Sequence, residues 1–119
     1  MGIGGGMVEV GNLLSDLPAR SLAAEATDVL LKRAPVRIER IVSSGQITPE
    51  GKWYDHDADE WVLLVSGAAR LHIEGETEDR ALEEGGWILL PAHCRHRVTW
   101  TRDEPPTVWL AVHVSSRAG

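Results

Sequence analysis

Short runs of apolar or alternating residues recur about every ten residues from residue 36 onward, with turn-forming residues between them. The runs VRIERIVS (36–43) and HRVTWT (96–101) alternate apolar and polar residues, which is the period of a half-buried strand. Glycine and proline fill the intervals, as in GQITPEG (45–51). This pattern is typical of all-β sandwiches and closed barrels. We therefore predict an antiparallel β-barrel or jelly roll over residues 36–115.

The segment before these runs, residues 12–35, has a different spacing. Its apolar residues recur at intervals of four, three and one, as on one face of an α-helix: Leu22, Ala26, Val29 and Leu30. Ser21 is a residue type that caps helices, and Pro35 is one that ends them. We therefore predict one N-terminal helix that packs on the outside of the barrel.

Residues 1–11, MGIGGGMVEVG, are rich in glycine, and we expect them to form a flexible tail. They do not complete the G-x-G-x-x-G pattern of dinucleotide-binding loops, and no strand precedes them. They also lack the basic and apolar regions of a secretory signal. No apolar run in the chain approaches the length of a membrane span.

The net charge and the cysteine content limit which partners and which cellular compartment we expect. The formal net charge is −6, and no run of Lys or Arg offers the basic patch that a nucleic-acid binder needs. The single cysteine, Cys94, excludes an internal disulfide and suits a reducing compartment. We therefore expect a cytoplasmic protein that binds neither nucleic acid nor membrane.

The stretch KWYDHDADEW (52–61) places one His and four carboxylates between two apolar runs. In an extended strand Tyr54 and His56 point the same way. If this strand and the next pair as a hairpin, Glu60 lies near His56 on the same face. Asp55, Asp57 and Asp59 imitate the start of an EF-hand, but the positions that need Gly and Glu hold Glu60 and Ser66. The three aspartates are therefore predicted to be turn residues.

A second cluster follows in PAHCRHRVTW (91–100). His93 lies in a turn and His96 opens the next strand, where His96, Val98 and Trp100 are predicted to share one face. Two His and a carboxylate on neighbouring strands suit a divalent metal such as Fe, Mn, Ni, Cu or Zn, with positions left open. A substrate or water could bind at those positions, with the metal as a Lewis acid.

Taken together, these spacings resemble the two sequence motifs of the cupins. His56, Glu60 and Gly67 match the second half of the first motif, G-x5-H-x-H-x3/4-E-x6-G. Positions 85, 91 and 96 hold the Gly, Pro and His of the second motif, G-x5-P-x-G-x2-H-x3-N. The chain therefore resembles a small single-domain cupin of the RmlC-like superfamily over roughly residues 36–114.

The resemblance implies roles for individual residues. It makes His56, Glu60 and His96 the metal ligands, with His93 as a substitute for the missing first His of the motif. Tyr54 stands in the place of that His, and Trp100 stands in the place of the closing Asn. Tyr54 and His93 are candidates for proton transfer, and Tyr54 and Trp100 are candidates for ligand contact.

Two alternatives stay open for single residues. Glu60 could pair with an arginine such as Arg97 or Arg70 instead of a metal, because a buried carboxylate must be paired. His113 shares a face with Trp109 on the last predicted strand. It could reach the barrel interior, and a structural role is the simpler interpretation for it.

The resemblance implies a protein that binds a divalent metal and a small molecule inside the barrel. As an enzyme it would be an oxygenase, isomerase or lyase. Because the first His and the Asn are absent, two alternatives remain: a metal-free cupin that binds or senses a ligand without catalysis, and a mainly structural module.

Two runs suggest a partner subunit. EWVLLV (60–65) and WILL (87–90) are apolar at successive positions, so their strands are predicted to bury both faces. One face would line the barrel interior, and the other would lie under the helix or a second subunit. We therefore expect a homodimer.

Overall fold

The computed structural model describes residues 6–18 and 22–115 and folds them into β-strands joined by turns. The strands are β1 Ala26–Arg33, β2 Val36–Ser43, β3 Ala58–Ser66, β4 Ala68–Ile73, β5 Arg80–Glu83, β6 Trp87–Leu90, β7 His96–Thr101 and β8 Thr107–Ser115. All of their pairings are antiparallel. The predicted all-β antiparallel class is therefore confirmed.

The strands form two sheets and do not close into the predicted barrel. One sheet has five strands in the order β1-β2-β8-β3-β6, and the other has three in the order β5-β4-β7. The chain passes from the first sheet to the second at Gly67, between β3 and β4. Gly67 has φ +105°, and a Cβ there would lie 2.7 Å from the Cα of Thr107. Only glycine allows this bend, because any side chain would meet both strain and backbone.

The core lies between the two sheets. Val62 and Leu64 of β3 face Leu71 of β4 and Trp109 of β8 in one buried cluster. The Trp109 indole N–H donates to Ser43 Oγ at 3.1 Å, so the large ring is buried without an unpaired donor. The alternation that places these residues inside also points Glu60 inward.

The predicted N-terminal helix is wrong, because the described part of segment 12–35 contains no helix. Ala26–Arg33 forms β1 instead, paired with β2 and with a register shift between Val29 and Leu31. Pairing along the open edge of β2 satisfies the backbone of these residues, and tertiary context of this kind overrides a local helical pattern. The predicted cap Ser21 lies outside the described residues.

The amino terminus has no regular secondary structure in its described part, residues 6–11. The remainder of the predicted flexible tail, residues 1–5, lies outside the described residues. Within 6–18 and 22–115, no helix is long and apolar enough to cross a membrane.

The five-stranded sheet carries apolar side chains on the face that points away from the core. Its register aligns them in two rows across β8, β3 and β6: Val112–Trp61–Leu89 and Leu110–Leu63–Trp87. We call these six residues the outer apolar face. Trp87 is 61% exposed and Leu89 is 53% exposed. The prediction that WILL buries both faces therefore fails within a single chain.

The location of the core predicts which leucines carry stability. Leu64→Ala should lower the free energy of unfolding by about 2–5 kcal/mol, because Leu64 is fully buried and its loss leaves a cavity. Urea denaturation measures this loss. The matched control is Leu30→Ala on exposed β1, which should change the stability by less than about 0.5 kcal/mol. Equal losses in the two variants would contradict this core.

Candidate metal centre and its cavity

A cavity of about 260 Å³ opens between the two sheets, and both sheets contribute to its wall. Its apolar wall includes Ile41, Val98 and Trp109. Its polar wall carries the imidazoles and carboxylates that the sequence singled out, together with others. The cavity therefore combines a surface for packing a small molecule with groups that can perform chemistry.

His56, Glu60 and His96 come together at this wall. One ligand atom from each lies within 4.8 Å of the other two, a separation at which one metal ion can contact all three. Glu60 points inward from β3, and His96 opens β7. The three residues predicted from sequence spacing to bind a metal are thus neighbours in space.

His56 reaches the cluster by a route that differs from the predicted hairpin. The segment before β3 pairs with the start of β7: Tyr54 N–H donates to His96 O at 2.7 Å, and His96 N–H donates to Tyr54 O at 3.1 Å. The His93 N–H donates to His56 O at 2.7 Å. These backbone bonds hold His56 beside His96, and β3 then brings Glu60 to both.

One oxygen of Glu60 points to a missing partner. Glu60 Oε1 is buried and accepts no hydrogen bond. It lies 3.5 Å from His96 Nε2 and 3.9 Å from His56 Nε2. A buried carboxylate oxygen without a partner is unfavourable and asks for an explanation. A divalent cation bound by Glu60 Oε1, His96 Nε2 and His56 Nε2 would be that partner. The residues present therefore fit a metal ion.

The His96 ring is oriented for such a role. Its Nδ1 lies 2.9 Å from the Cys94 carbonyl oxygen and donates to it. In the neutral imidazole this leaves the Nε2 lone pair directed at Glu60 and His56, as in histidines that bind metals.

Electrostatics couple Glu60 to the surrounding imidazoles. Burial raises the pKa of Glu60, but the close His96, together with the charges of His113 and His56, leaves that pKa below its usual value. Burial lowers the pKa of His96, but the Glu60 carboxylate and the Cys94 carbonyl leave it above its usual value. Without a metal, the protein therefore favours an ion pair between Glu60 and His96.

The alternative pairing of Glu60 with an arginine is wrong. Arg97 donates to the Thr48 carbonyl at 3.1 Å, and Arg70 lies over the Trp100 ring at 6.0 Å. Among the described residues, the charged groups within 4 Å of the Glu60 carboxylate are imidazoles.

The second oxygen of Glu60 faces His113. His113 Nε2 lies 3.8 Å from Glu60 Oε2 and 3.3 Å from Glu39 Oε1. Arg37 in turn contacts Glu39 Oε2 at 2.6 Å. His113 therefore reaches the interior, and it links Glu60 to a pair of charges on β2. His113 thus lies on the Oε2 side of the carboxylate, and Oε1 is turned toward His56 and His96.

Tyr54 lines the cavity beside the cluster. Its ring stacks near both imidazoles, with centroids 5.7 Å from His56 and 5.4 Å from His96. Burial raises the pKa of Tyr54, and the carboxylates of Glu25 and Glu60 raise it further. Its hydroxyl therefore stays protonated and can donate a hydrogen bond to a ligand.

His93 lies apart from the cluster. Its backbone has φ 64°, the left-handed conformation of a turn. Its side chain is 70% exposed, with Nδ1 3.0 Å from Asp55 Oδ1. The structure thus places His93 in a surface turn, as predicted, and not beside His56 and His96.

Trp100 does not share a face with His96, contrary to prediction. Trp100 pairs with Arg70 and Val98 pairs with Leu71, so Thr99 is an extra residue in β7. This bulge breaks the alternation and turns Trp100 outward. Its ring is 44% exposed, and it does not line the cavity.

Sequence reasoning missed two carboxylates of the cavity, Glu25 and Glu39. Glu39 occupies a polar position of the alternating run 36–43, which predicts exposure to solvent. Glu39 in fact points into the cavity, whereas Ile38 points to the opposite face. Glu25 belongs to the segment predicted as a helix, and it accepts a hydrogen bond from Ser43 Oγ at 2.6 Å. No local signal distinguishes these two residues from surface glutamates.

Comparison with known proteins bears on this geometry. The sequence model of the family described as "Cupin domain" matches residues 41–113. This range contains every residue of the metal cluster and His113. No curated protein matches the chain.

Solved structures show the same fold. A protein from Ralstonia eutropha JMP134, provisionally named a mannose-6-phosphate isomerase, is 49% identical, with a TM-score of 0.88 over 92% of this chain and 100% of that chain. A cupin superfamily protein from Desulfitobacterium hafniense DCB-2 is 15% identical, with a TM-score of 0.73 over 92% and 94% of the two chains. KdgF from Halomonas sp. is 17% identical, with a TM-score of 0.66 over 81% and 84%.

The contacts of His96 predict how it titrates in metal-free protein. Glu60→Gln should lower the pKa of His96, because it removes the carboxylate that stabilises the imidazolium while burial, which opposes the charge, remains. An NMR titration of protein treated with a chelator measures the shift. As a control, Asp55→Asn should leave the His96 pKa unchanged, since Asp55 contacts His93. No difference between Glu60→Gln and the wild type would contradict the pairing.

Proposed function

The chain belongs to the cupin family, and from this premise we propose that it binds a divalent metal ion through His56, Glu60 and His96 and a small molecule in the adjoining cavity. The observation that carries the proposal is Glu60 Oε1, a buried oxygen without a hydrogen-bond donor beside two imidazoles. Two nitrogens and one carboxylate suit Fe, Mn, Ni, Cu or Zn and leave coordination positions open for a ligand.

A bound divalent metal would polarise an oxygen of the ligand. The chain's own residues would do the rest. Tyr54 would donate a hydrogen bond at that oxygen, while Ile41, Val98 and Trp109 exclude water from the apolar side of the cavity. As an enzyme, the protein would be an isomerase, oxygenase or lyase. The name of the relative that is 49% identical favours an isomerase.

Cys94 suits the reducing cytoplasm, where we propose that the protein acts.

A second candidate function is metal-free binding or sensing of a small molecule. Tyr54 stands where the cupin motif has its first His, and its ring packs near the imidazoles of His56 and His96. Glu60 is also balanced by imidazolium charge without any metal. In this version the cavity recognises its ligand by hydrogen bonds and packing, with no turnover.

Elemental analysis separates the two candidates. Purified protein, dialysed against divalent metals and then washed, should retain a stoichiometric metal. His56→Ala and His96→Ala should each remove it, because two remaining ligands bind weakly. His113→Gln should retain the metal with roughly 10–100-fold weaker affinity, since His113 orients Glu60 without belonging to the cluster.

The control for general damage is His72→Ala. His72 contacts Asp79 at 3.0 Å, away from the cluster, so this variant should keep the full metal content. A wild-type protein that holds no metal after supply of all five ions would exclude the metal function and leave the metal-free candidate. If metal is present, oxygen uptake and isomerisation assays then separate an enzyme from a sensor.

We also propose that the protein is a homodimer whose subunits meet through the outer apolar face. Trp61 and Trp87 stack there with ring centroids 6.0 Å apart, and aliphatic side chains of β8 and β6 continue the surface. Two charges lie beside these rows: Arg40 pairs with Asp28 at 2.7 Å, and Asp59 accepts a hydrogen bond from the Ala92 N–H at 2.8 Å. An apolar patch between such paired charges is complementary to a second copy of itself, and two sheets pack well face to face. Contiguous exposed apolar surface of this kind marks an interface.

Changing one tryptophan tests this dimer. Trp87→Glu should shift the protein from dimer to monomer in light scattering after size exclusion, because it buries a charge in the interface. Trp100→Glu is the matched control, since Trp100 is also exposed but belongs to the three-stranded sheet. A monomeric wild type at high micromolar concentration, or equal effects of the two variants, would contradict the proposed interface.

A further inference from the structure

The ionisable side chains of the cavity wall are carboxylates and imidazoles, besides the Tyr54 phenol. Three carboxylates line it, those of Glu25, Glu39 and Glu60, and no Lys or Arg of residues 6–18 and 22–115 does so. The other polar side chains of the wall are hydroxyls and imidazoles: Thr27, Tyr54, His56, His96 and His113. A ligand inside the cavity therefore meets carboxylates, hydroxyls and imidazoles, and none of the wall's described side chains is a guanidinium or ammonium group.

A bound metal would not reverse this balance. Arg37 neutralises Glu39 from outside the cavity wall. The two remaining carboxylates, Glu25 and Glu60, carry as much negative charge as a divalent ion carries positive charge. The interior of the cavity therefore has no positive excess to offer an anionic group, and in a low-dielectric cavity an unbalanced anion is strongly disfavoured.

The acceptors are held in fixed positions. Glu25 Oε2 accepts from Ser43 Oγ at 2.6 Å, and Ser43 Oγ accepts from the Trp109 indole N–H at 3.1 Å. These two hydrogen bonds anchor the Glu25 carboxylate at the apolar wall. Fixed carboxylates next to an aromatic and aliphatic surface can accept hydrogen bonds from ligand hydroxyls while the carbon skeleton packs on that surface. The volume of about 260 Å³ suits a molecule of roughly one sugar ring.

We infer that the cavity takes an uncharged, hydroxyl-bearing molecule of about the size of a single sugar ring and rejects the phosphorylated form of the same molecule. The inference deepens the proposed function, and it rests on that proposal for the place of the ligand beside the metal cluster. It also separates this chain from the substrate in the name of its relative from Ralstonia eutropha, because a sugar phosphate would bring a dianion into an acidic cavity.

Matched pairs of probes test the inference. Isothermal titration of protein supplied with divalent metal would compare mannose with mannose 6-phosphate, glucose with glucose 6-phosphate, and glycerol with glycerol phosphate. The neutral member of at least one pair should bind, with its phosphate ester weaker by about tenfold or more. A phosphate ester that binds as tightly as its neutral partner, or no binding by any neutral member, would overturn the inference.

A charge variant shows whether the carboxylate at the wall is responsible. Glu25→Gln should weaken the affinity for the neutral ligand several-fold, because it removes one strong acceptor. It should also reduce the difference in affinity between the neutral ligand and its phosphate ester, because it removes a negative charge. Glu76→Gln, at a surface ion pair with Arg80, should change neither affinity. An unchanged gap in Glu25→Gln would contradict the electrostatic cause.

The metal content of each sample keeps the two proposals distinguishable. If the protein retains no metal and still prefers neutral ligands, the metal function is excluded and the inference of an uncharged, hydroxyl-bearing ligand is supported. If the protein retains metal but prefers phosphate esters, the metal function is supported and the inference of an uncharged ligand is excluded.

Discussion

The burial of the Glu60 carboxylate among three imidazoles is the constraint on which the rest of the site depends. An anion between two sheets requires positive charge or donors around it. His96 supplies them from β7, His56 from the segment before β3, and His113 from β8. Each of these residues belongs to a different part of the chain. The carboxylate therefore lies where the two sheets meet, since Glu60 and His113 belong to the five-stranded sheet and His96 to the three-stranded sheet.

The two oxygens of Glu60 have different surroundings, and only one of them faces the other two members of the cluster. Oε2 faces His113, which is itself held by Glu39 and, through Glu39, by Arg37. Oε1 faces His56 and His96 and has no hydrogen bond. The outer charges thus lie on the Oε2 side of the carboxylate, and Oε1 is the oxygen nearer to His56 and His96. Orientation by a second layer of partners is typical of metal sites, where it tunes affinity without direct contact.

The failed predictions share one cause, which is that local periodicity does not report how a segment pairs with neighbouring strands. On β2 the polar residue Glu39 points into the cavity, while Ile38 joins the face that carries Val112 and Trp61. On β7 one extra residue, Thr99, turns Trp100 away from His96. In segment 12–35, helical spacing coexists with a strand, because the open edge of β2 offers backbone partners that a helix would forgo. In each case a neighbouring strand decides the outcome.

The sequence by itself determined the all-β antiparallel class, through strand runs and turns, and three members of the cluster. His56, Glu60 and His96 follow from motif spacing because short strands with regular turns bring fixed positions to the same end of the fold. Tertiary structure alone decided that the strands form two sheets, that β1 replaces a helix, and that Glu25, Glu39 and His113 join the cavity. These features depend on cross-strand register and on bulges. Both arise from pairing between segments distant in sequence, and residue type along one strand does not encode that pairing.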